Sequence, residues 1–329
     1  MTDVLFLTSE EVSGLAEPAA FVEAVRDAYR QRGEGAPAKP RTALESESPA
    51  GLFTTYAAVL PDTGVMGGYM YSAGFGAGDA WFVTPLFDAD SGELLSIVDG
   101  ASMNPHKTGA TGAVGVDTLA REDASELAII GSGTQARGQL RATATVRNLD
   151  AVRVFSPTRE NRETFAEEMT AELDLSITPV ESAETAIEGA DIVITATKAS
   201  EPVFDGSLLE PGTHVTAMGQ YDPDRFELDA TTVERSVYVP DLVARTDQDA
   251  GAYLNAVETG AIDADHAHAE LGEVIADVAP GRTDPEQITV FDSGGTGIET
   301  AAAGYLLYER ASEAGLGTTI EFSPASEAF

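Results

Sequence analysis

The fold of this chain is decided by one stretch, Leu127-Ala128-Ile129-Ile130-Gly131-Ser132-Gly133-Thr134-Gln135-Ala136. Its apolar half predicts a short buried strand, and the glycines that follow predict a turn into a helix. The spacing is G-x-G-x-x-A: Gly131 permits the tight turn, Gly133 lets the backbone approach a pyrophosphate, and Ala136 allows close packing of helix on strand. Backbone N–H groups at the helix start would hold the phosphates. The stretch therefore predicts the start of a dinucleotide-binding unit.

The sequence on both sides favours this interpretation over a structural turn that binds no phosphate. The helix predicted for Thr134–Val146 contains no proline, and the next strand, Val152–Phe155, follows at the spacing of a βαβ unit. Further strands are predicted at Ser176–Val180, Asp191–Ala196, His214–Met218, Ser236–Val239 and Ile288–Phe291, with a helix at Glu270–Val278. Strands that alternate with helices in this way predict a doubly wound parallel sheet.

Length and composition bound the class of protein. The chain has 329 residues, 43% of them hydrophobic, which is enough for two domains with separate cores. The first residues lack a basic segment followed by a long apolar core, and no run of about eighteen apolar residues occurs. We therefore expect a cytoplasmic protein with no membrane partner. The absence of cysteine excludes disulfides and thiolate zinc sites.

The charge balance is extreme. The chain has 55 acidic and 19 basic residues, for a formal net charge of −36. Molar salt shortens the Debye length to about 3 Å and makes such a surface tolerable. The composition therefore favours a halophilic protein, from a haloarchaeon, over an acidic mesophilic one. No basic stripe exists that would neutralise phosphates, which argues against nucleic acid as a partner.

The first hundred residues show a different pattern. A capped amphipathic helix is predicted from Thr8 to Gly33, followed by a proline-bounded extended segment at Pro37–Arg41. Two hairpins are then predicted from the strands Leu52–Leu60, Val65–Tyr71, Trp81–Phe87 and Leu94–Val98. This part should form a mostly antiparallel sheet with a helix, and a long helix at Gly297–Ala314 is expected to return to it.

Several stretches, taken together, resemble the ornithine cyclodeaminase and mu-crystallin family, which also includes an archaeal alanine dehydrogenase and several ketimine reductases. The similar stretches are Leu86-Phe87-Asp88 with Ser91-Gly92-Glu93-Leu94, Lys107-Thr108-Gly109-Ala110, Ile130 to Arg137, Pro211-Gly212-Thr213-His214 with Met218-Gly219, and Glu227-Leu228. Their order and spacing cover nearly the whole chain.

The resemblance implies an α/β architecture in which a Rossmann domain, residues 119–293, is inserted into a smaller α+β domain. The smaller domain, residues 1–118 completed by 294–329, would bind substrate and form a homodimer. The family uses bound NAD(P) to oxidise a small amino acid to an imine or to reduce an imino acid with hydride. Two alternatives to this oxidoreductase remain. One is ornithine cyclodeaminase proper, and the other is a non-catalytic, mu-crystallin-like protein that binds NADPH and a small ligand.

The candidate cofactor contacts lie in these stretches and at strand ends: Thr108, Gly131, Ser132, Gly133, Thr134, Gln135, Ser156, Thr158, Arg159, Thr197, Met218, Gly219 and Ser293. NADP(H) is favoured and NAD(H) is possible. No acidic residue stands at the tip of the second strand to accept a ribose 2′-hydroxyl, whereas Ser156, Thr158 and Arg159 suit a 2′-phosphate. Alternatively, Arg159 simply pairs with Glu163.

The substrate site agrees with the family pattern at one position and departs from it at three. Arg41 matches the family's carboxylate-binding arginine, although an ion pair is the alternative. Tyr69 replaces a lysine, Lys107 replaces an arginine, and Tyr221, followed by Asp222, replaces the catalytic aspartate. We expect Arg41 and Lys107 to bind the substrate carboxylate beside the nicotinamide, with Tyr69 and Tyr221 nearby.

The candidate catalytic residues are therefore Lys107, Tyr221 and Asp222, and the candidate substrate-binding residues are Arg41, Tyr69, Lys107 and Glu227. Polar groups remain at every altered position, which favours a working oxidoreductase over a protein that has lost catalysis. No metal site is predicted. His214 is expected to be a satisfied core residue, His106 is a weak proton-carrier candidate, and His266 and His268 would lie on different faces of a helix.

Overall fold

A computed structural model describes residues 2–327 of the chain. They form two compact units, one from residues 2–107 and 296–327 and the other from residues 108–295. This division falls within a single helix, between Lys107 and Thr108, and the domain limits given above from the sequence stay a prediction. Within the described range, no helix is both long and apolar enough to cross a membrane.

The strands and helices are numbered along the chain. The strands are β1 (Thr2–Leu7), β2 (Thr42–Glu47), β3 (Ala50–Leu60), β4 (Val65–Gly74), β5 (Asp79–Asp88), β6 (Leu94–Asp99), β7 (Glu126–Ile130), β8 (Ala151–Phe155), β9 (Ile177–Pro179), β10 (Ile192–Thr195), β11 (His214–Met218), β12 (Ser236–Pro240), β13 (Ile288–Ser293) and β14 (Thr318–Phe322). The helices are α1 (Ser9–Val12), α2 (Pro18–Gly33), α3 (Asn104–Leu119), α4 (Thr134–Thr143), α5 (Arg159–Leu173), α6 (Ala183–Ile187), α7 (Ala230–Glu234), α8 (Gly251–Glu258), α9 (Leu271–Ile275) and α10 (Gly297–Ala314).

The first unit is built on a seven-stranded sheet in the order β14-β1-β6-β5-β4-β3-β2. All neighbours are antiparallel except β1 and β6, so the predicted mostly antiparallel sheet and both hairpins are confirmed. Helix α10 packs on β3, β4 and α2. The close approach is possible because Gly304 has no side chain: a Cβ there would lie 3.2 Å from Leu86 and Thr84. The closing helix thus returns to this sheet, as expected.

The single helix predicted from Thr8 to Gly33 is wrong. The predicted capping box is present, since Thr8 and Glu11 bond each other's backbone N–H, but α1 ends at Val12. Gly14 then takes a left-handed φ of 72°, and Pro18 occupies the first turn of α2. Proline disfavours helical backbone in the residue before it and fits a helix start, so the chain breaks and restarts here.

The second unit is the predicted doubly wound sheet. Its seven strands run in the order β12-β13-β11-β10-β7-β8-β9, and every neighbouring pair is parallel. Buried apolar side chains fill a core on each side of the sheet. The predicted helices are present but shorter, since α4 ends at Thr143 and α9 at Ile275. The carboxyl ends of β7, β8, β10, β11 and β13 share one edge, where ligands of such sheets bind.

The histidines have structural contacts. His214 is fully buried between Thr289 and Thr216, with 2.9 Å from each ring nitrogen to a threonine Oγ1. Burial lowers its pKa to about 3, which confirms a neutral core residue. His266 and His268 contact the backbone carbonyls of Val233 and Pro280. Over residues 2–327, no three His, Asp or Glu side chains are grouped to hold a metal ion.

Candidate active site

The glycine turn after β7 has the geometry that the sequence predicts. Gly131 has a φ of 123°, and its N–H donates to the Phe155 carbonyl at 2.8 Å. A Cβ at this position would lie 2.3 Å from the carbonyl oxygen of Ala196. Both the dihedral angle and the space therefore require glycine.

At Gly133, neither the dihedral angle nor the surrounding space requires glycine. Its φ of −82° suits any residue, and nothing lies within 4 Å of where its Cβ would be. It is the N-cap of α4, and no side chain caps this helix. The first turn of α4 thus presents backbone N–H groups beside open space, an arrangement that fits a pyrophosphate.

The end of β8 carries the residues proposed to choose between the two dinucleotides. The Ser132 hydroxyl donates to the Ser156 hydroxyl at 2.9 Å, and Ser156 in turn donates to the Thr158 carbonyl at 3.3 Å. Arg159 is 78% exposed and its Nε lies 2.7 Å from Glu163 Oε1. The alternative Arg159–Glu163 ion pair is thus present. Because the pair is exposed to solvent and therefore weak, an incoming phosphate could compete with Glu163 for the guanidinium.

A cavity of about 200 Å³ opens at the carboxyl ends of β10 and β11. Its lining includes Thr197, Gly219, Tyr221 and Asp222, so four candidate residues from two strand ends meet here. Gly219 has a left-handed φ of 95°. Met218 is buried at the end of β11, next to the cavity in the chain.

Glu227 is buried next to the end of β10. It is 2% exposed, and its carboxylate accepts hydrogen bonds from Thr195 Oγ1 at 3.0 Å and Thr197 N at 2.6 Å. Burial raises its pKa to about 7 despite these bonds, with a smaller contribution from the charge of Asp292. Its described contacts hold the end of β10 in place, whereas the resemblance implied a contact with substrate, which stays a prediction.

Ser293, at the end of β13, is held by a buried ionic network. Asp241 accepts from Ser293 Oγ at 2.9 Å and from the N–H of Gly294 at 3.0 Å. The guanidinium of Arg245, 1% exposed, lies 3.0 Å from Asp241 and 2.7 Å from Asp249. No local pattern in the sequence predicts this network, yet the network fixes the loop that follows Ser293.

In the first unit, Arg41 is buried beside a group of aromatic rings. It is 4% exposed, its Nη1 donates to the Tyr71 hydroxyl at 3.0 Å, and its guanidinium lies 5.3 Å from the ring centre of Tyr56. Tyr69 and Tyr71 are two residues apart on β4, so both side chains point to the same face of the sheet, the one that carries α10. Phe82, opposite Tyr71 on β5, completes the group.

Lys107 contacts the same group of rings. Its Nζ lies 4.9 Å from the ring centre of Tyr69 and 3.5 Å from Glu299 Oε1, and it is 2% exposed. The Tyr69 hydroxyl donates to the Gly100 carbonyl at 2.9 Å. Burial raises the pKa of Tyr69 well above its usual value, so this phenol is a neutral donor and not a base near neutral pH. The fold therefore brings Arg41, Tyr69 and Lys107 to one group of side chains.

Glu299 was not among the residues predicted from the sequence. It is 1% exposed and faces Lys107 from the first turn of α10. The local signal was the sequence Thr296-Gly297-Ile298-Glu299, a capping box that marks the start of α10. That signal predicts a helix start, but it does not predict that the same carboxylate meets Lys107. His106, the weak candidate, stacks on Phe21 with ring centres 5.3 Å apart.

Comparison with known proteins agrees with this geometry. The model of the "Ornithine cyclodeaminase/mu-crystallin family" matches residues 2–315. The chain belongs to this family. The resemblance drawn from the sequence stretches is thereby confirmed, and so is the fold class.

Relatives in the family differ in their reported substrates. A Δ1-pyrroline-2-carboxylate reductase of Bacillus cereus is 34% identical over 73% of this chain and 74% of its own. The structure of the same kind of enzyme from Thermococcus litoralis, in complex with NADH and L-proline, is 34% identical, covers 96% and 100% of the two chains and has a TM-score of 0.90. An archaeal alanine dehydrogenase dimer with bound NAD is 28% identical over 98% and 100%, also at a TM-score of 0.90.

Proposed function

We propose that this protein is an NAD(P)-dependent oxidoreductase that acts on a small amino or imino acid. The observation that carries the proposal is the uncapped start of α4 beside Gly133, where open space and backbone N–H groups suit a pyrophosphate. When bound, the nicotinamide supplies or accepts the hydride. The protein then has to bind the carboxylate, orient the C–N bond and move one proton.

The side chains for these tasks are the ones that the sequence singled out. We assign the substrate carboxylate to Arg41 and Lys107, because buried cations bind carboxylates strongly and both contact one group of tyrosine rings that pack on each other. Tyr69 orients without exchanging a proton, since burial keeps its hydroxyl neutral. Asp222, which lines the cavity of the second unit, is the proposed proton carrier, and Tyr221 the proposed orienting group beside it.

The test is a spectrophotometric screen in molar salt. Nicotinamide absorbance is followed with NADPH and NADH against cyclic imino acids, and with NADP⁺ and NAD⁺ against amino acids that include L-proline, L-alanine and L-ornithine. We expect turnover with an imino or amino acid. Tight dinucleotide binding without any turnover would instead support a binding protein, and release of ammonia from ornithine would support a cyclodeaminase.

We further propose NADP(H) as the preferred dinucleotide. Ser156 and Thr158 supply hydroxyls, and the Arg159 guanidinium is exposed enough to leave Glu163 for a 2′-phosphate. Arg159→Ala is expected to weaken NADPH binding about tenfold and to leave NADH unchanged. Arg141→Ala is the matched control, because it breaks another arginine–glutamate pair of the same unit, with Glu172. Equal affinities of the wild type for both dinucleotides would contradict the preference.

We also propose a homodimer formed through the face of the first sheet that lies opposite α10. Five large apolar side chains are exposed on adjacent strands of that face: Leu44 (62%), Phe53 (40%), Met70 (47%), Trp81 (68%) and Val83 (46%). An apolar groove of about 570 Å³ lies along the same strands. Contiguous exposed apolar surface of this kind is typical of an interface.

Sedimentation in molar salt tests the dimer. Met70→Asp is expected to produce monomers, because it places a charge at the centre of the apolar face. Leu208→Asp is the control, since Leu208 is equally exposed, at 47%, on the second unit. A monomeric wild type at micromolar concentration would refute the assignment.

A further inference from the structure

The ion pair of Lys107 and Glu299 is buried almost completely. Lys107 is 2% exposed and Glu299 is 1% exposed, and 3.5 Å separates Nζ from Oε1. Lys107 lies near the N-terminal end of α3, where the helix dipole disfavours a positive charge. A buried ammonium there requires compensation, and Glu299 supplies a full negative charge.

The carboxylate of Glu299 is itself held firmly. It accepts from the backbone N–H and the hydroxyl of Thr296, and Thr296 caps the backbone of α10 in return. The Tyr29 hydroxyl donates to Oε2 at 3.4 Å. The position of the charge is thus set by the start of α10 and by α2, not by the flexible side chain alone.

We infer that Glu299 is a positioning residue that fixes the ammonium of Lys107 against the Tyr69 ring for contact with the ligand carboxylate. The inference rests on the proposed function, because it takes Lys107 to be a ligand contact. A lysine side chain has many rotamers, and holding it in one of them requires a fixed partner. The Glu299 carboxylate, 3.5 Å from Nζ, is such a partner.

Glu299→Gln separates this role from capping. Glutamine serves in a capping box as glutamate does, so its Oε1 can still accept from the Thr296 N–H, while the charge and the acceptor for the Thr296 hydroxyl are lost. Glu11→Gln is the matched control: it makes the same change in the exposed capping box of α1. Glu11→Gln is expected to melt within a few degrees of the wild type, whereas Glu299→Gln should melt several degrees lower, because it leaves the buried ammonium of Lys107 without its counter-charge.

The first readout needs no ligand. The chain has only three lysines, Lys39, Lys107 and Lys198, so an amine-acylating reagent followed by mass spectrometry resolves each of them. Lys198 is exposed on the second unit and serves as the internal standard. We expect acylation of Lys107 in Glu299→Gln to accelerate at least about threefold relative to Lys198, because loss of the carboxylate favours the reactive neutral amine. An unchanged Lys107 rate would overturn the inference.

The second readout is a double-mutant cycle on ligand binding, with L-proline and L-alanine as probes in the presence of the dinucleotide. Glu299→Gln should weaken binding about tenfold when Lys107 is present and have no effect in the Lys107→Met background. Additive losses would mean that Glu299 acts on the fold and not through Lys107, and would overturn the inference.

The two readouts keep this inference distinct from the proposed function. If the wild type binds neither probe and turns over no substrate, the proposed function fails, and the acylation result still decides whether Glu299 holds Lys107. Should Glu299→Gln not fold, Glu299→Asp is used, which keeps the charge but withdraws it by one methylene. It is expected to accelerate Lys107 acylation to a smaller extent, and no acceleration would again overturn the inference.

Discussion

Gly133→Ala distinguishes a glycine kept for a ligand from a glycine kept for the fold. In the folded protein an added Cβ at Gly133 meets nothing within 4 Å, and the φ of −82° is acceptable to alanine. Replacing glycine where the backbone is compatible stabilises a protein by about 0.4–1 kcal/mol, because the unfolded chain loses freedom. Alanine is less favoured than glycine at an N-cap, which opposes this gain by a similar amount, so without a dinucleotide the variant should melt close to the wild-type temperature.

The same methyl group is expected to damage dinucleotide binding. If the pyrophosphate approaches the backbone at Gly133, the Cβ occupies part of that space and displaces the phosphates from the N–H groups of α4. A hydrogen bond to a charged group contributes about 1.5–3 kcal/mol. Loss of one such bond corresponds to a decrease in affinity of roughly tenfold to a hundredfold.

Gly131→Ala is the companion variant with the opposite signature. Its Cβ would lie 2.3 Å from the Ala196 carbonyl oxygen, and its φ is 123°. The unfavourable φ for alanine, together with the shift needed to separate the Cβ from the Ala196 carbonyl, should lower the free energy of unfolding by roughly 2–5 kcal/mol. Calorimetric melting without ligand and fluorescence titration with NADPH measure the two effects separately. Wild-type NADPH affinity in Gly133→Ala would refute the proposed phosphate site.

Three further predictions follow from the charges. Burial raises the pKa of Glu227 from 4.5 to about 7, so between these pH values the folded state retains a proton that the unfolded state loses. The free energy of unfolding should therefore fall by up to about 3 kcal/mol as the pH rises from 4.5 to 7. Thermal melts at several pH values should show this fall in the wild type and not in Glu227→Gln. The net charge of −36 should make the melting temperature rise by about 10 °C or more between dilute buffer and molar KCl, and equal melting would contradict halophilic adaptation. Arg41→Ala should weaken binding of the amino-acid carboxylate at least about tenfold by calorimetry, with NADPH binding unchanged.

The sequence predicts the elements whose pattern is local. The apolar runs that became β7, β10 and β11 are buried on both faces, and the glycine turn is a short motif with fixed spacing. By contrast, β2 and β14 were not predicted, because most of their residues are exposed and they carry no alternating pattern. Such strands are defined by their neighbours in the sheet and not by their own composition.

The candidate site was predicted in part for the same reason. Arg41, Tyr69 and Lys107 were predicted from the resemblance to the family, and the fold brings them to one group of rings. Glu299 was missed because its partner lies far away in the chain, so that only the folded sheet and α10 bring the two together. Glu227 was placed with the substrate by resemblance, whereas its described hydrogen bonds go to Thr195 and Thr197.

The acidic composition gives the buried cations a particular importance. In a chain with 55 acidic and 19 basic residues, an anionic ligand is repelled by the average surface, and molar salt screens that repulsion beyond about 3 Å. Attraction then has to act at contact distance, from cations shielded from salt. Arg41 and Lys107, both at most 4% exposed, meet that condition. Burial costs such cations their hydration, which is why Glu299 and the tyrosine rings accompany them. Glu299 and the tyrosine rings thus offset part of the cost of burying these two cations.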